Sequence, residues 1–214
     1  MTLPELKLDG QGLLTVVAQD HRTGEVRMVA HATPEALEQT LATGRATFYS
    51  RSRQKLWVKG EESGHVLAVR EVWIDCDADC VVYLVVPAGP SCHTGAPSCF
   101  FRRLDADDEA RALPVLMRLE AELERRRGDT AAKSYTKSLL DEGPRKIGAK
   151  IREEAGELAD AIAEETDARV VSEMADLLYH AMVGLLHRGI PLADVEDELA
   201  RRFGVSGHDE KASR

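Results

Sequence analysis

The run GHVLAVREVWIDCDADCVVYLVVP, residues 64–87, decides the reading of the first half of the chain. HVLAVREVWIDC (65–76) and CVVYLVVP (80–87) are rich in β-branched and aromatic residues, and both read as strands. Upstream, LLTVVAQ (13–19) and VRMVAHA (26–32) flank DHRTGE, a hairpin signal with Gly24 in the turn. Thr33 then suits a helix N-cap, Pro34 the first helical position and Gly44 the stop. Downstream, GPSCHTGAPSC (89–99) is a Gly/Pro-rich loop.

After about Leu104 the texture changes. DADDEARALP is a charged connector, followed by helix formers at helical spacing in PVLMRLEAELERRR, EGPRKIGAKIREEAGELADAIAEE, ARVVSEMADLLYHAMVGLLHRG and PLADVEDELARRFG. The polar tail SGHDEKASR is expected to fray. These textures predict an α+β chain of two domains, a β-rich one over 1–104 and an all-α one over 105–214.

Bulk properties narrow the function. With 43% hydrophobic residues the 214-residue chain can bury real cores, and no apolar run approaches the ~20 residues of a membrane span. The opening MTLPELKLDGQG has no basic stretch followed by an apolar block, so no secretory signal is read and a cytoplasmic location is expected. A net charge of −9 argues against general nucleic-acid binding, which needs clustered Lys and Arg. The four cysteines all lie between Cys76 and Cys99, which favours metal ligation over a disulfide framework in a chain read as not exported.

Stepping 100° per residue along GAKIREEAGELADAI aligns Ile147, Ile151, Ala155, Leu158 and Ile162 in one apolar stripe, bordered by Glu154 and Glu157 with Lys150 beside them. Glu153 points further toward solvent. On the next helix Met174, Leu177, Leu178, Ala181 and Leu185 form a stripe flanked by Glu173 and Asp176, and by His180 one turn on. If the stripes pack together, four carboxylates converge, an oxygen-rich set suited to Mg²⁺ and a polyphosphate; solvated acidic faces are the alternative.

In IDCDADC the alternating Asp75, Asp77 and Asp79 would share one face of an extended strand, with Cys76 and Cys80 on the other. Three aspartates on one face repel unless a cation sits there. An EF-hand loop is excluded, because Cys80 and Val86 stand where Gly and Glu are required. Cys76, Cys92 and Cys99 could supply three thiolates to Zn²⁺ and leave a position open for water, or could be unrelated thiols. A base deaminase is excluded: the sole H-x-E, at His208, precedes no P-C-x-x-C.

EExxE at Glu153–Glu157 with ExxD at Glu173–Asp176 resembles the all-α nucleoside triphosphate pyrophosphohydrolases. KSYTKSLLDEG, KIREEAGE and EMADLLYH are similar, more narrowly, to phosphoribosyl-ATP pyrophosphohydrolase over roughly residues 113–204. The resemblance implies α–β phosphate cleavage, Mg²⁺ on Glu154, Glu157, Glu173 and Asp176, assistance from Glu153, and substrate contacts by Ser134, Tyr135, Lys146 and Lys150. FYSRSRQKLWVKGEESGH, DCDAD and GPSCHTGAPSCF together resemble phosphoribosyl-AMP cyclohydrolase over roughly residues 9–101. That resemblance implies Zn²⁺ on Cys76, Cys92 and Cys99, Mg²⁺ on Asp75, Asp77 and Asp79, and a homodimer whose zinc ligands come from both subunits. Water readied at the zinc would attack C6 of the adenine and open the ring at N1–C6, with His93 transferring the proton. Arg51, Arg53 and Lys59 would meet the phosphates, and Ser50, Ser52, Trp57, Glu61 and Ser63 would complete the wall. The expected substrates are phosphoribosyl-ATP and phosphoribosyl-AMP, in two consecutive steps of histidine biosynthesis. A general nucleotide pyrophosphatase with a zinc-stabilised domain, and a metal-binding regulatory module, are the rival readings.

Overall fold

A computed structural model describes residues 3–105, 111–129 and 134–203. The expected frayed tail at 206–214 and most of the charged connector lie outside them. The chain divides into two compact units, Met1–Pro114 and Val115–Arg214. The sequence-based boundary at 104/105 falls earlier, because Arg111 remains tied to the first unit: it meets the Glu25 carboxylate through Nε at 3.0 Å and Nη2 at 2.8 Å.

In the first unit, β1 (Leu14–Asp20) and β2 (Val26–Ala32) form the expected hairpin, with Gly24 at φ 69 in its turn. Helix α1 (Pro34–Thr43) follows. Thr33 Oγ1 accepts from the Ala36 amide, and Gly44 ends the helix at φ 66, where an L side chain would be strained. Two short strands come next, β3 (Thr47–Ser50) and β4 (Lys55–Val58), and then the paired β5 (Leu67–Ile74) and β6 (Cys80–Pro87). The sheet order is β4-β3-β2-β1-β6-β5, with β1 and β6 parallel and the other pairs antiparallel.

The sheet bends round on itself. The Ala46 amide donates to Leu67 O at 3.0 Å and Val69 N to Gly44 O at 2.8 Å, so the approach to β3 meets β5 from the far edge. Alternate residues of β1 and β6 therefore face a closed interior, and Val16, Ala18, Phe48, Leu67, Tyr83 and Val85 have no exposed surface. Phe48 contacts both Trp57 (ring centroids 5.1 Å apart) and Tyr83 (5.8 Å) at the middle of this core.

The second unit is helical: α2 (Val115–Arg127), α3 (Tyr135–Glu142), α4 (Pro144–Glu164), α5 (Asp167–Arg188) and α6 (Leu192–Arg201). Four of these match the expected stretches. Helix α3 was not anticipated, since eight residues span barely two turns and leave too few apolar positions for a periodic signal. Thr166 caps α5 by accepting from the Arg169 amide, and α4 and α5 pack as a long hairpin. Leu123, Leu139, Ile147, Met182, Val183 and Leu186 form the core.

The two apolar stripes do not pack together as expected. Ile162 (66% exposed), Met174 (45%) and Leu178 (37%) face solvent, as do Ala155 and Val171, while Glu154, Glu173 and His180 are buried between the helices. The mutual face of α4 and α5 is turned toward the charged border of each stripe.

Candidate functional sites in the two units

In the first unit the 88–99 loop returns to the sheet, because the Cys99 amide donates to Arg27 O at 2.9 Å and Ser98 Oγ donates to Val26 O at 2.7 Å. The loop thereby closes one side of a cavity of about 640 Å³. Arg53, Trp57, Lys59, Glu61, Ser63, Cys92, His93 and Cys99 line it, as the motifs suggested. Ser50, Arg51 and Ser52 do not; Ser50 and Ser52 are 3.4 Å apart in the β3–β4 turn, and Ser50 Oγ accepts from the Arg53 amide. Trp57 is both wall and core through Phe48.

Cys92 and Cys99 line the same cavity, close enough that each shifts the other's thiol. The hydroxyl of Thr94 donates to Cys92 Sγ at 3.2 Å and holds that thiol below its ordinary range. Cys99, although exposed over part of its surface, is desolvated enough that its thiol is pushed up. Burial lowers the Lys59 ammonium, and the adjacent Cys99 opposes that shift. His93 Nδ1 lies 3.9 Å from Cys92 Sγ.

Sequence reasoning missed His65, which lines the same cavity and is wedged between two glycines. A Cβ on Gly89 would stand 2.3 Å from the His65 ring, and one on Gly60 would stand 2.4 Å from its backbone. His65 closes the run FYSRSRQKLWVKGEESGH, but nothing in spacing ties residue 65 to residues 60 and 89.

The aspartates do not sit on a strand. Residues 75–79 form the β5–β6 turn, with Ala78 at φ 60 and Asp75 Oδ1 accepting from the amides of Asp79 and Cys80, both at 3.1 Å. The tight turn, rather than the two-residue pleat, brings carboxylate oxygens of Asp75, Asp77 and Asp79 within 4.8 Å of one another. Lys7, also missed, places Nζ 2.5 Å from Asp77 and 3.6 Å from Asp79, and this contact lowers the Asp77 carboxyl. Cys76 lies in this turn, at the opposite end of β6 from the Cys92–Cys99 loop. At about 3.3 Å per residue the ends of that eight-residue strand are about 23 Å apart. One chain does not unite the three cysteines.

In the second unit Glu154, Glu157 and Glu173 bring carboxylate oxygens within 4.8 Å. Glu154 and Glu173 are buried and Glu157 exposed. The Glu157 carboxyl is pushed up by its hydrogen bond to Glu173 and by the negative charge around it. Lys150 Nζ sits 2.8 Å from both Glu153 and Glu154, and Arg169 Nη2 sits 2.6 Å from Glu173. His180 Nδ1 is 3.6 Å from Glu154, and its Nε2 is 3.2 Å from the Tyr135 hydroxyl. Arg169 was not anticipated, and it lies four residues before Glu173 on the same helix face.

Three of the expected positions stand apart from this group. Asp176 is exposed and is not among the mutually close carboxylates. Ser134 uses its hydroxyl to cap α3 through the Lys137 amide. Lys146 is exposed, and its positive charge acts on Glu153 only from a distance. A separate cavity of about 440 Å³ in this unit, lined by Leu123, Met182 and Ile190 among others, contains none of the clustered carboxylates.

Comparison with known proteins assigns both halves. A family model described as Phosphoribosyl-AMP cyclohydrolase matches residues 28–101, and one described as Phosphoribosyl-ATP pyrophosphohydrolase matches residues 116–203. Proteins named "Histidine biosynthesis bifunctional protein HisIE" are similar throughout. That of Wolinella succinogenes is 43% identical over 212 residues, covering 94% of this chain and 93% of its own. Those of Helicobacter hepaticus (40% over 215 residues; 94% and 93%) and Aquifex aeolicus (42% over 202; 93% and 98%) are comparable. With a cysteine-lined cavity in the half matched to the cyclohydrolase and a buried carboxylate group in the half matched to the pyrophosphohydrolase, the chain belongs to the family of bifunctional phosphoribosyl-AMP cyclohydrolase/phosphoribosyl-ATP pyrophosphohydrolase enzymes.

Proposed function

We propose that the chain performs two consecutive hydrolyses of histidine biosynthesis in the cytoplasm, the helical unit first and the strand-rich unit second, so that chain order is the reverse of reaction order. The observation that carries this reading is the match of donor chemistry to reaction: clustered carboxylates in the half matched to the pyrophosphohydrolase, and two thiols lining one cavity in the half matched to the cyclohydrolase.

In the helical unit the three close carboxylates repel one another, as the raised Glu157 carboxyl records, and this donor set fits a hard divalent cation such as Mg²⁺. When bound, such an ion supplies charge neutralisation for the triphosphate. Glu154, Glu157 and Glu173 would hold it, and Asp176 is the fourth proposed ligand. Lys150 and Arg169 fix two of these carboxylates and present cationic flanks to the phosphates. Glu153 accepts the proton of the attacking water. Tyr135 and the Asp176 carbonyl hold the two ring nitrogens of His180, which stands 3.6 Å from Glu154. Lys146 meets the outer phosphate, and Ser134 contributes by fixing the start of α3, and hence Tyr135.

In the strand-rich unit Cys92 and Cys99 fit two thiolate positions of Zn²⁺, and Cys76 fits a third when it comes from a second copy of the chain. A homodimer is therefore part of the proposal; the exposed Ile162, Val171 and Met174 of the α4–α5 hairpin support it from the other unit. Bound zinc supplies an acidified water for attack on the ring. His93 moves the proton to the departing nitrogen. Lys59 and Arg53 receive the phosphates, Arg51, Ser50 and Ser52 extend that surface along the β3–β4 turn, and Trp57, Glu61 and Ser63 wall the ring. Asp75, Asp77 and Asp79 fit a Mg²⁺ ion.

The test supplies phosphoribosyl-ATP and follows pyrophosphate release together with the ultraviolet change of ring opening. Both signals are expected, in that order. Equal hydrolysis of common nucleoside triphosphates with no ultraviolet change would refute the reading in favour of a general pyrophosphatase.

A further inference from the structure

The strand-rich unit holds a charge network, centred on the buried Glu25, that the proposed chemistry leaves unused. Glu25 has no exposed surface, and two guanidinium groups converge on it. Arg27 Nη1 approaches Oε2 at 2.8 Å, and Arg111 binds both oxygens, at 3.0 and 2.8 Å. Asp20 stands 3.8 Å from Arg27 Nη1 and adds a second carboxylate beside that guanidinium. A buried charge is tolerated only when paired and hydrogen-bonded, so Glu25 is what allows Arg27 to sit inside the unit at all.

Two further donors of Arg27 go to the cysteine loop. Its Nε donates to Ser91 Oγ at 3.2 Å and its Nη2 to Gly89 O at 3.3 Å, while its own carbonyl accepts from the Cys99 amide at 2.9 Å. One residue thus grips the loop immediately before Cys92 and again at Cys99. A rigid planar fork can do this; a lysine ammonium at the same place could keep the pairing with Glu25 but not span Ser91 and Gly89 together. Glu25, Arg27 and Arg111 all fall outside residues 28–101, the extent of the cyclohydrolase match.

We propose that Arg27 is a positioning residue for ring opening, setting the separation of Cys92 and Cys99 through Ser91, Gly89 and its own backbone, and that Arg111 acts through Glu25 as the outer clamp of this device. The cyclohydrolase site then depends on a residue of the stretch that leaves the first unit. The inference rests on the assignment of Cys92 and Cys99 to the site.

The experiment uses the full chain and compares R27K, S91A, the double variant R27K/S91A and R111Q. Four quantities are read: kcat and KM for ring opening of phosphoribosyl-AMP, zinc affinity by chelator competition, and pyrophosphate release from phosphoribosyl-ATP. R27K is expected to lower kcat and zinc affinity about 10-fold each, with KM and pyrophosphate release within about twofold of the parent, as for loss of a group that orients metal ligands. The double variant should be no worse than R27K alone, because both substitutions cut the same link. R111Q, at the solvent-facing end, should lower kcat about threefold with zinc affinity moving in step. The proposal is overturned if folded R27K keeps kcat and zinc affinity within about twofold of the parent, or if the losses of R27K and S91A multiply. Should R27K fail to fold, S91A and R111Q decide, and unchanged kcat and zinc affinity in both overturns it. A C92S arm separates the two levels: full ring opening by C92S would refute the site assignment itself.

Discussion

Replacing Glu154 by Gln removes one charge from the helical carboxylate group while keeping the side chain's shape. Lys150 Nζ lies 2.8 Å from Glu154 and equally 2.8 Å from Glu153, so the ammonium keeps a full partner after the substitution. The stability cost is then that of one charged hydrogen bond weakened to a neutral one, about 1–2 kcal/mol. The catalytic cost is larger. One of three carboxylates facing the proposed cation becomes neutral, and a bound cation stabilises a phosphoryl transition state by several kcal/mol. Losing about 3 kcal/mol of that stabilisation corresponds to a rate reduction of about 100-fold. Pyrophosphate release from phosphoribosyl-ATP should therefore fall about 100-fold in E154Q while ring opening of supplied phosphoribosyl-AMP holds near the parent value. The reasoning fails if the folded variant retains more than about a third of its pyrophosphate release, or if both reactions fall together.

Three other substitutions probe the remaining assignments. C92S should abolish ring opening and spare pyrophosphate release, as measured by the same two signals. G60A forces an L residue to φ 85 and drives a Cβ to within 2.4 Å of the His65 backbone; the first unit should lose about 2 kcal/mol or more, seen as a melting transition lowered by about 10 °C. F48A empties the centre of the first core, where Phe48 has no exposed surface and touches Trp57 and Tyr83, and should cost about 3–5 kcal/mol in denaturant unfolding of that unit.

What the sequence made legible was whatever lies within a few residues along the chain. Thr33, Pro34 and Gly44 delimit α1 because capping is a local transaction between a side chain and an amide two or three residues on. Glu154, Glu157 and Glu173 were found because helical spacing converts directly into a shared edge. Distance in the chain defeated the rest. Arg27 reaches Ser91 and Gly89 across more than sixty positions, and Lys7 reaches Asp77 across seventy; no periodicity announces either. The aspartates were assigned the right mutual proximity on a mistaken backbone, because a strand and a five-residue turn can both bring alternate carboxylates together. The apolar stripes were read as a contact between α4 and α5, whereas burial follows the whole fold, and Ile162 and Met174 remain at the surface.

The eight residues of β6 hold Cys76 and the pair Cys92–Cys99 at its two ends. If each zinc centre draws on two polypeptides, inactive alleles need not be inactive together. A chain carrying C76S and another carrying C92S would each be dead alone, yet a mixed pair would assemble one intact centre from the undamaged halves. Mutant extracts combined after gentle dissociation would recover ring opening, a genetic complementation written into the length of a single strand.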